Sequence, residues 1–232
     1  CILLSAPLVA NETEEKKEYG KVQQYGMALA GATLSNAVVF SVNHFIAKTE
    51  FSDISPETIR HNFSVKWQWD QSKYQTNQIG HPYQGVTYFT AGRANGLNFY
   101  ESIPIAGFGS ASWELFAERC DPALNDLIQT TVGGVALGEI FHRLYLEAAA
   151  TGNHFAFLIS PMSAFNYWIN QDMPDGGGGN IRNMEILGGM GFASTTRTSI
   201  GAGDNYDRIM TPTLSSGILI AYGDPFGTES SE

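Results

Sequence analysis

HPYQGVTYF (His81–Phe89), GRANGLNFYES (Gly92–Ser102), GSASWELFAER (Gly109–Arg119) and NDLIQTTVGGVALGEIFHR (Asn125–Arg143) form the stretch around which the chain is arranged. In it, charged and amide side chains are set singly into runs of small and apolar residues. Burying such groups is costly unless each finds a partner. The pattern therefore predicts helices that pack closely and satisfy their polar groups against one another. It names no reaction.

Two features place the helices. Asp121 and Pro122 read as an N-cap and first-turn proline, opening a helix that should run to about Ala150, where Thr151 and Gly152 supply a stop. Inside it Gly133, Gly134 and Gly138 each cost about 1 kcal/mol relative to alanine. Gly134 and Gly138 make a GxxxG step, so another helix or stretch of backbone is expected against that face. Upstream, residues 85–118 read as helical material broken near Pro104, with Gly107 and Gly109 flanking the break.

Working outward, residues 26–47 carry no Asp, Glu, Lys or Arg. At about 1.5 Å per residue the span could cross a hydrocarbon layer. Ser35, Asn36, Ser41, Asn43 and His44 fit a helix packed inside a bundle or barrel better, with Ala28, Gly31 and Ala32 allowing close approach. Ser55 and Pro56 start a short helix, and Phe63, Val65, Trp67 and Trp69 alternate with polar residues, predicting a strand near 62–70. Beyond residue 153, MEILGGMGFAST (Met184–Thr195) and LSSGILIAYGDPF (Leu214–Phe226) read as Gly-bearing, partly alternating strands, with QDMPDGGGG (Gln171–Gly179) as a mobile loop before them. The class expected is α+β: a membrane-type helical region over 26–152, then antiparallel strands over 153–232 belonging to an incomplete outer-membrane-like barrel.

At the N-terminus, Cys1–Val9 is apolar, Ala10 is small, and NETEEKKE follows, like the end of an export signal over 1–10 with a tether over 11–25. Alternatively, Cys1 is the lipid-modified first residue of a lipoprotein. There is no initiating Met, and two or three strands cannot close a barrel, so both ends read as cut. With the signal removed, Cys120 stands alone and is expected to be a buried or interfacial thiol. Only 16% of the 232 residues are charged, against about 25% in ordinary soluble domains, while 43% are hydrophobic and 25 are glycine. That balance suits a membrane-associated protein. A net charge of −10 and the lack of a basic stripe exclude a phosphate-backbone binder, so no nucleic-acid partner is expected.

HPYQGVTYF, the RANG and FYES segments, WELFAE, and NDLIQTTVGGVALGE followed by Arg143 resemble an uncharacterised bacterial domain-of-unknown-function family. Its members are exported envelope proteins in which such a helical region precedes predicted outer-membrane strands. The resemblance covers roughly 62–143, with weaker similarity on to Gly223–Phe226. It implies a location, with membrane lipid or envelope components as partners, and an architecture. It carries no ligand or catalytic residue. SASWELFAER with NDLIQTTVGGVALG also resembles, distantly, the acidic-helix, Asp, Thr, Gly-Gly pattern of VanZ-like membrane proteins.

The polar residues support several chemistries. His81 could act as a base, though a structural imidazole bonded to a carbonyl or carboxylate weighs more. Arg93 needs an anion, and Glu114 or Glu118 is the expected partner. Asp126, with Asn125, lies where a carboxylate favours a helix N-terminus. Glu139 is four residues before Arg143, a favourable helical pair. The leading reading is a structural network of Arg93, Glu114, Glu118, Asn125, Asp126, Glu139 and Arg143 in a protein of transport, assembly or envelope integrity. The alternative is a membrane hydrolase acting on a lipid or envelope ester through His81 with Asp126 or Glu114. Ser102, Ser110 and Ser112 are available to it, but none sits in a GxSxG elbow. A weaker alternative is a metal site on Glu114, Glu118, Glu139 and His142 with His81. A di-iron bundle needs the ExxH step twice, and Glu139 with His142 supplies it once. No cofactor is expected.

Overall fold

The computed structural model describes residues 19–70, 74–153, 155–170, 181–198 and 206–222. The expected signal at 1–10, the tether up to residue 18, the Gln171–Gly179 loop and the Gly223–Phe226 segment lie outside the described residues. The chain divides into a helical unit within Cys1–Gly176 and a β unit within Gly177–Glu232. The whole is mostly helical with a small two-stranded antiparallel sheet, an α+β chain.

The helical unit contains α1 (Lys21–Ser41), α2 (Pro56–Asn62), α3 (His81–Ala94), α4 (Phe99–Phe116), α5 (Leu124–Ala150) and α6 (Pro161–Asn170). A wider turn, Val42–Ala47, extends α1. The combined Lys21–Ala47 span is long and apolar enough, by length and composition, to cross a membrane. As the small residues suggest, Ala28, Gly31 and Ala32 are buried, with Gly31 packed towards Ala91 of α3. Ser35 and Asn36 also face inward, and Asn36 donates to the Gly109 carbonyl at 3.0 Å.

The crossing of α3 and α5 is the tightest feature. A Cβ on Gly85 would land on the Thr130 carbonyl oxygen and lie 2.7 Å from the Gly134 Cα. A Cβ on Gly138 would lie 2.7 Å from the Phe89 ring. The GxxxG face therefore meets backbone, as its spacing predicts, and Gly85 is the matching glycine on the other helix. Around this crossing Ala28, Ala32, Tyr88, Phe89, Leu97, Ile105 and Ala106 form the core.

The break in the 85–118 region falls elsewhere than expected. α3 stops at Gly96, whose φ of +84° suits glycine, and Asn98 caps α4 in a reciprocal box with Glu101. Pro104 lies inside α4, where it removes one backbone donor near the start, and Gly109 makes room for the Tyr88 ring. The Asp121–Pro122 expectation also shifts. α5 opens at Leu124 with Ala123 as N-cap, and Asp121 pairs instead with His61 at 2.8 Å. Its far end is as read, with Thr151 as C-cap and Gly152 at φ +72°. Ser55 and Pro56 start α2 through a capping box with Thr58.

The strand expected near 62–70 reduces to one bridge between Gln68 and Ala123, because the segment meets only a short piece of extended chain before α5. A ladder needs a partner strand as long as itself. Phe63 and Trp69 are exposed, and Phe63 rests edge-on against Phe116. Helical structure also persists past 153 as α6, so strands begin at residue 181. Cys120 is exposed in the chain, which removes the buried alternative for its thiol.

In the β unit, β1 (Ile181–Thr198) pairs antiparallel with β2 (Tyr206–Tyr222). Met190 faces Leu214, Phe192 faces Pro212 and Ser194 faces Met210. The intervening pairs are Gly189 with Ser215 and Gly191 with Thr213, so over residues 189–192 and 212–215 one face is apolar and the other small and polar, while Leu187 and Leu219 follow on that second face.

Candidate functional site

The glycine crossing brings the ends of helices together, and polar side chains meet there. At one end the start of α3, the end of α4 and the start of α5 converge on the 66–70 segment. Asn62, at the last turn of α2, donates to the carbonyl oxygens of Glu114 at 3.2 Å and Glu118 at 2.8 Å. The first carbonyl lies in the last turn of α4 and the second just past it, so the amide of Asn62 closes that helix.

Glu114 is 2% exposed, and its Oε2 accepts the Ala123 backbone N–H at 2.8 Å. That N–H belongs to the residue preceding α5, so α4's carboxyl fastens the next helix in place. Burial, then the nearby Glu118 carboxylate, pushes the Glu114 carboxyl up to about 8. Glu118 is raised by burial too, although the indole N–H of Trp113, donated at 2.6 Å, opposes the shift.

Asn125 donates to Asp126 Oδ1 and to Asp70 Oδ1, both at 2.7 Å, and accepts the Asp70 N–H at 2.9 Å. His81 Nε2 lies 3.4 Å from Asp126 Oδ2, and both side chains are buried. Burial alone would lower the His81 pKa. The Asp126 interaction, with the Glu118 and Asp70 carboxylates, outweighs it and raises the imidazole above its usual value.

At the other end of α3, Arg93 meets a different partner from the one its spacing suggests. Its Nε donates to Glu139 Oε2 at 2.8 Å, and one terminal nitrogen reaches the Leu97 carbonyl at 2.8 Å. Glu139 also takes the Arg143 Nε at 2.7 Å. The choice of Glu139 over Glu114 or Glu118 follows from chain direction: α4 runs back from the Arg93 end, so the two glutamates lie at the far end, whereas α5 runs alongside α3 in the same sense and brings Glu139 to Arg93. His142 is buried beside this group with no hydrogen-bond partner at Nδ1 among the described residues. Burial, followed by the Arg93 charge, holds its pKa down to about 4.

The expected single network is thus two. His81, Glu114, Glu118, Asn125 and Asp126 come together, and Arg93, Glu139, His142 and Arg143 come together separately. The proposed metal ligands are split between them, and among the described residues no three His, Cys, Asp or Glu side chains gather to hold a metal. Ser102 and Ser112 donate their hydroxyls to the Asn98 and Gly109 carbonyls at 2.8 and 2.9 Å.

A third cluster escaped the sequence reading. The Tyr88 hydroxyl donates to Asn36 Oδ1 and receives the Gln84 amide at 2.6 Å, which ties α1 to α3. Asp70, Asn62 and Trp113 likewise join the first group unforeseen as polar partners. The Gln84–Tyr88 spacing of four was the available signal, since it puts both on one helical face.

No curated protein and no solved structure matches the chain. Residues 66–162, which contain both polar groups, match the model of a family described as a domain of unknown function, DUF3943.

Proposed function

We propose that the protein is a non-enzymatic component of the bacterial cell envelope, of outer-membrane type, with a structural, transport or assembly role. In this reading β1 and β2 are staves of a lipid-facing barrel wall. The observation that carries it is the two-faced hairpin. Met190 and Leu214 are 89% and 83% exposed on one face, with Phe192 and Met210 beside them. Gly189, Gly191, Thr213 and Ser215 occupy the other at the middle of the hairpin, with Leu187 and Leu219 further along it. Apolar outward and small polar inward at period two is the pattern of a barrel stave, and a bilayer needs only about 10 residues of strand to be crossed. A hairpin cannot close a barrel, so the reading requires further strands beside it.

The helical unit supports the same surroundings. Leu34 and Val38 of α1, Val42 just after it, and Leu124, Ile128 and Val132 of α5 are exposed apolar residues at steps of four, while His81, Glu114, Asp126 and His142 are buried. Membrane lipid or envelope components are the partners this suggests. The hydrolase reading has less support: His81 and Asp126 are buried against each other, and the buried Glu114 is engaged by the Ala123 N–H.

The test uses full-length chain with both native cysteines replaced by serine and single cysteines placed at 189, 190, 213 and 214. Each is labelled with an environment-sensitive fluorophore and the protein is reconstituted in phosphatidylcholine vesicles. Blue-shifted emission at 190 and 214 but not at 189 and 213 is expected. Equal emission at all four would refute the barrel-wall role.

A further inference from the structure

We infer that the carboxyl of Glu114 is a proton-held latch between α4 and α5, and that losing its proton opens this junction while the glycine crossing beside it stays shut. The geometry gives Glu114 an unusual job. Its buried side chain grips the Ala123 N–H through Oε2, outside its own helix, at the point where α5 begins. That N–H and the Gln68 bridge are what hold the incoming chain: Gln68 donates to the Pro122 carbonyl and accepts from Leu124, both at 2.8 Å.

The groups facing Glu114 are mostly carboxylates. Glu118 lies just past the end of α4, Asp126 comes from α5 and Asp70 from the 66–70 segment, while His81 from α3 lies against Asp126. Tyr88 of α3 also senses the charges of Glu114 and Glu118. Glu118, Asp126 and Asp70 also share the surroundings of one imidazole, that of His81. Adding a full negative charge to Glu114 places it among like charges in a site with little water, and one backbone N–H does not offset that. A neutral carboxyl meets no such penalty and still accepts from Ala123. The raised pKa of the Glu114 carboxyl agrees with this charge count.

The consequence is a junction that is closed in neutral and mildly acidic solution and loosens in alkali. The α3–α5 crossing contains no titratable group where Gly85 meets Gly134, so it gives a control within the same molecule. Loosening exposes the Ala123 amide, frees the 66–70 segment and breaks the Trp113 contact to Glu118.

The experiment is amide hydrogen exchange on the full chain at about pH 6 and about pH 9.5, corrected for the intrinsic dependence of exchange on pH. Protection at Ala123 and Leu124 is expected to fall by about tenfold or more, while amides over 130–138 change little. In Glu114→Gln, which keeps an acceptor oxygen and cannot ionise, the drop is expected to shrink to the part that His81 contributes. Equal losses in wild type and Glu114→Gln, or no loss in wild type, would overturn the latch. Should Glu114→Gln fail to fold, infrared difference spectra of the wild type decide the matter. A protonated carboxyl carbonyl band that disappears between the two pH values supports it, and its absence throughout overturns it.

Discussion

The two polar groups of the helical unit sit on the same helices and solve opposite problems. Around Glu114, carboxylates outnumber the imidazole they surround, and stability depends on keeping protons. Around Glu139, two guanidiniums share one carboxylate, and the neighbouring His142 is kept neutral. The contrast appears in the two histidines: His81 is lifted by its acidic neighbours, and His142 is pressed down by burial and Arg93. Burial keeps both Glu114 and His142 neutral, and the surplus charge of each end adds to it, while at His81 the acidic neighbours overcome burial.

Both groups depend on the spacing set by the α3–α5 crossing, so breaking that spacing should erase the contrast altogether. Gly85→Ala or Gly134→Ala inserts a methyl where backbone already sits. Each is expected to cost about 3 kcal/mol or more, read as a lower urea midpoint, because neither neighbour is a side chain that can swing aside. Unchanged midpoints would mean the helices are further apart than described.

A smaller effect sharpens the contrast at one end. Glu139→Gln leaves Arg93 and Arg143 facing each other across a half-buried site, and a loss of about 2 kcal/mol is expected. Arg143 is 44% exposed, so Arg143→Gln should cost below about 0.5 kcal/mol. The double change should cost less than the sum, since the two share one interaction. Strictly additive losses in denaturant titrations would show that Glu139 does not link them. Smallest of all is Asp121→Asn, which removes an exposed partner of His61 and should shift stability by a few tenths of a kcal/mol at most.

How far the sequence disclosed these features depended on the range of the interaction. Local chemistry was readable: Ser55–Pro56 opened α2, Gly152 closed α5, and Glu139 four residues before Arg143 made a pair. The GxxxG step announced a close neighbour, although only the fold shows that Gly85 is that neighbour. The strand near 62–70 failed because alternation describes one segment, while a sheet needs a second one to pair with. Pro104 misled for a related reason. It sits inside α4 without ending it, and the true break had its own markers in Gly96 and the Asn98–Glu101 box. Arg93's partner was not readable because it depends on helix direction, and the grouping of His81 with Glu114 rather than Glu139 has the same origin. The barrel wall and the envelope location rest on pattern and resemblance, and they belong to the proposed function.

The comparison is tested most directly by stability against pH, from chemical denaturation of the full chain between about pH 4 and about pH 9. Glu114 binds its proton more tightly folded than unfolded, so its contribution is complete below pH 4.5 and is lost as pH rises through about 8. His81 acts in the same direction, complete below 6.5 and lost above its raised value. His142 acts in reverse: its contribution is complete above 6.5 and is lost as pH falls through about 4. A dome is therefore predicted, whose alkaline limb flattens in Glu114→Gln and whose acid limb flattens in His142→Leu. A curve of the same shape in all three proteins would contradict the account, because it would mean these side chains are hydrated separately and never faced one another in a dry interior.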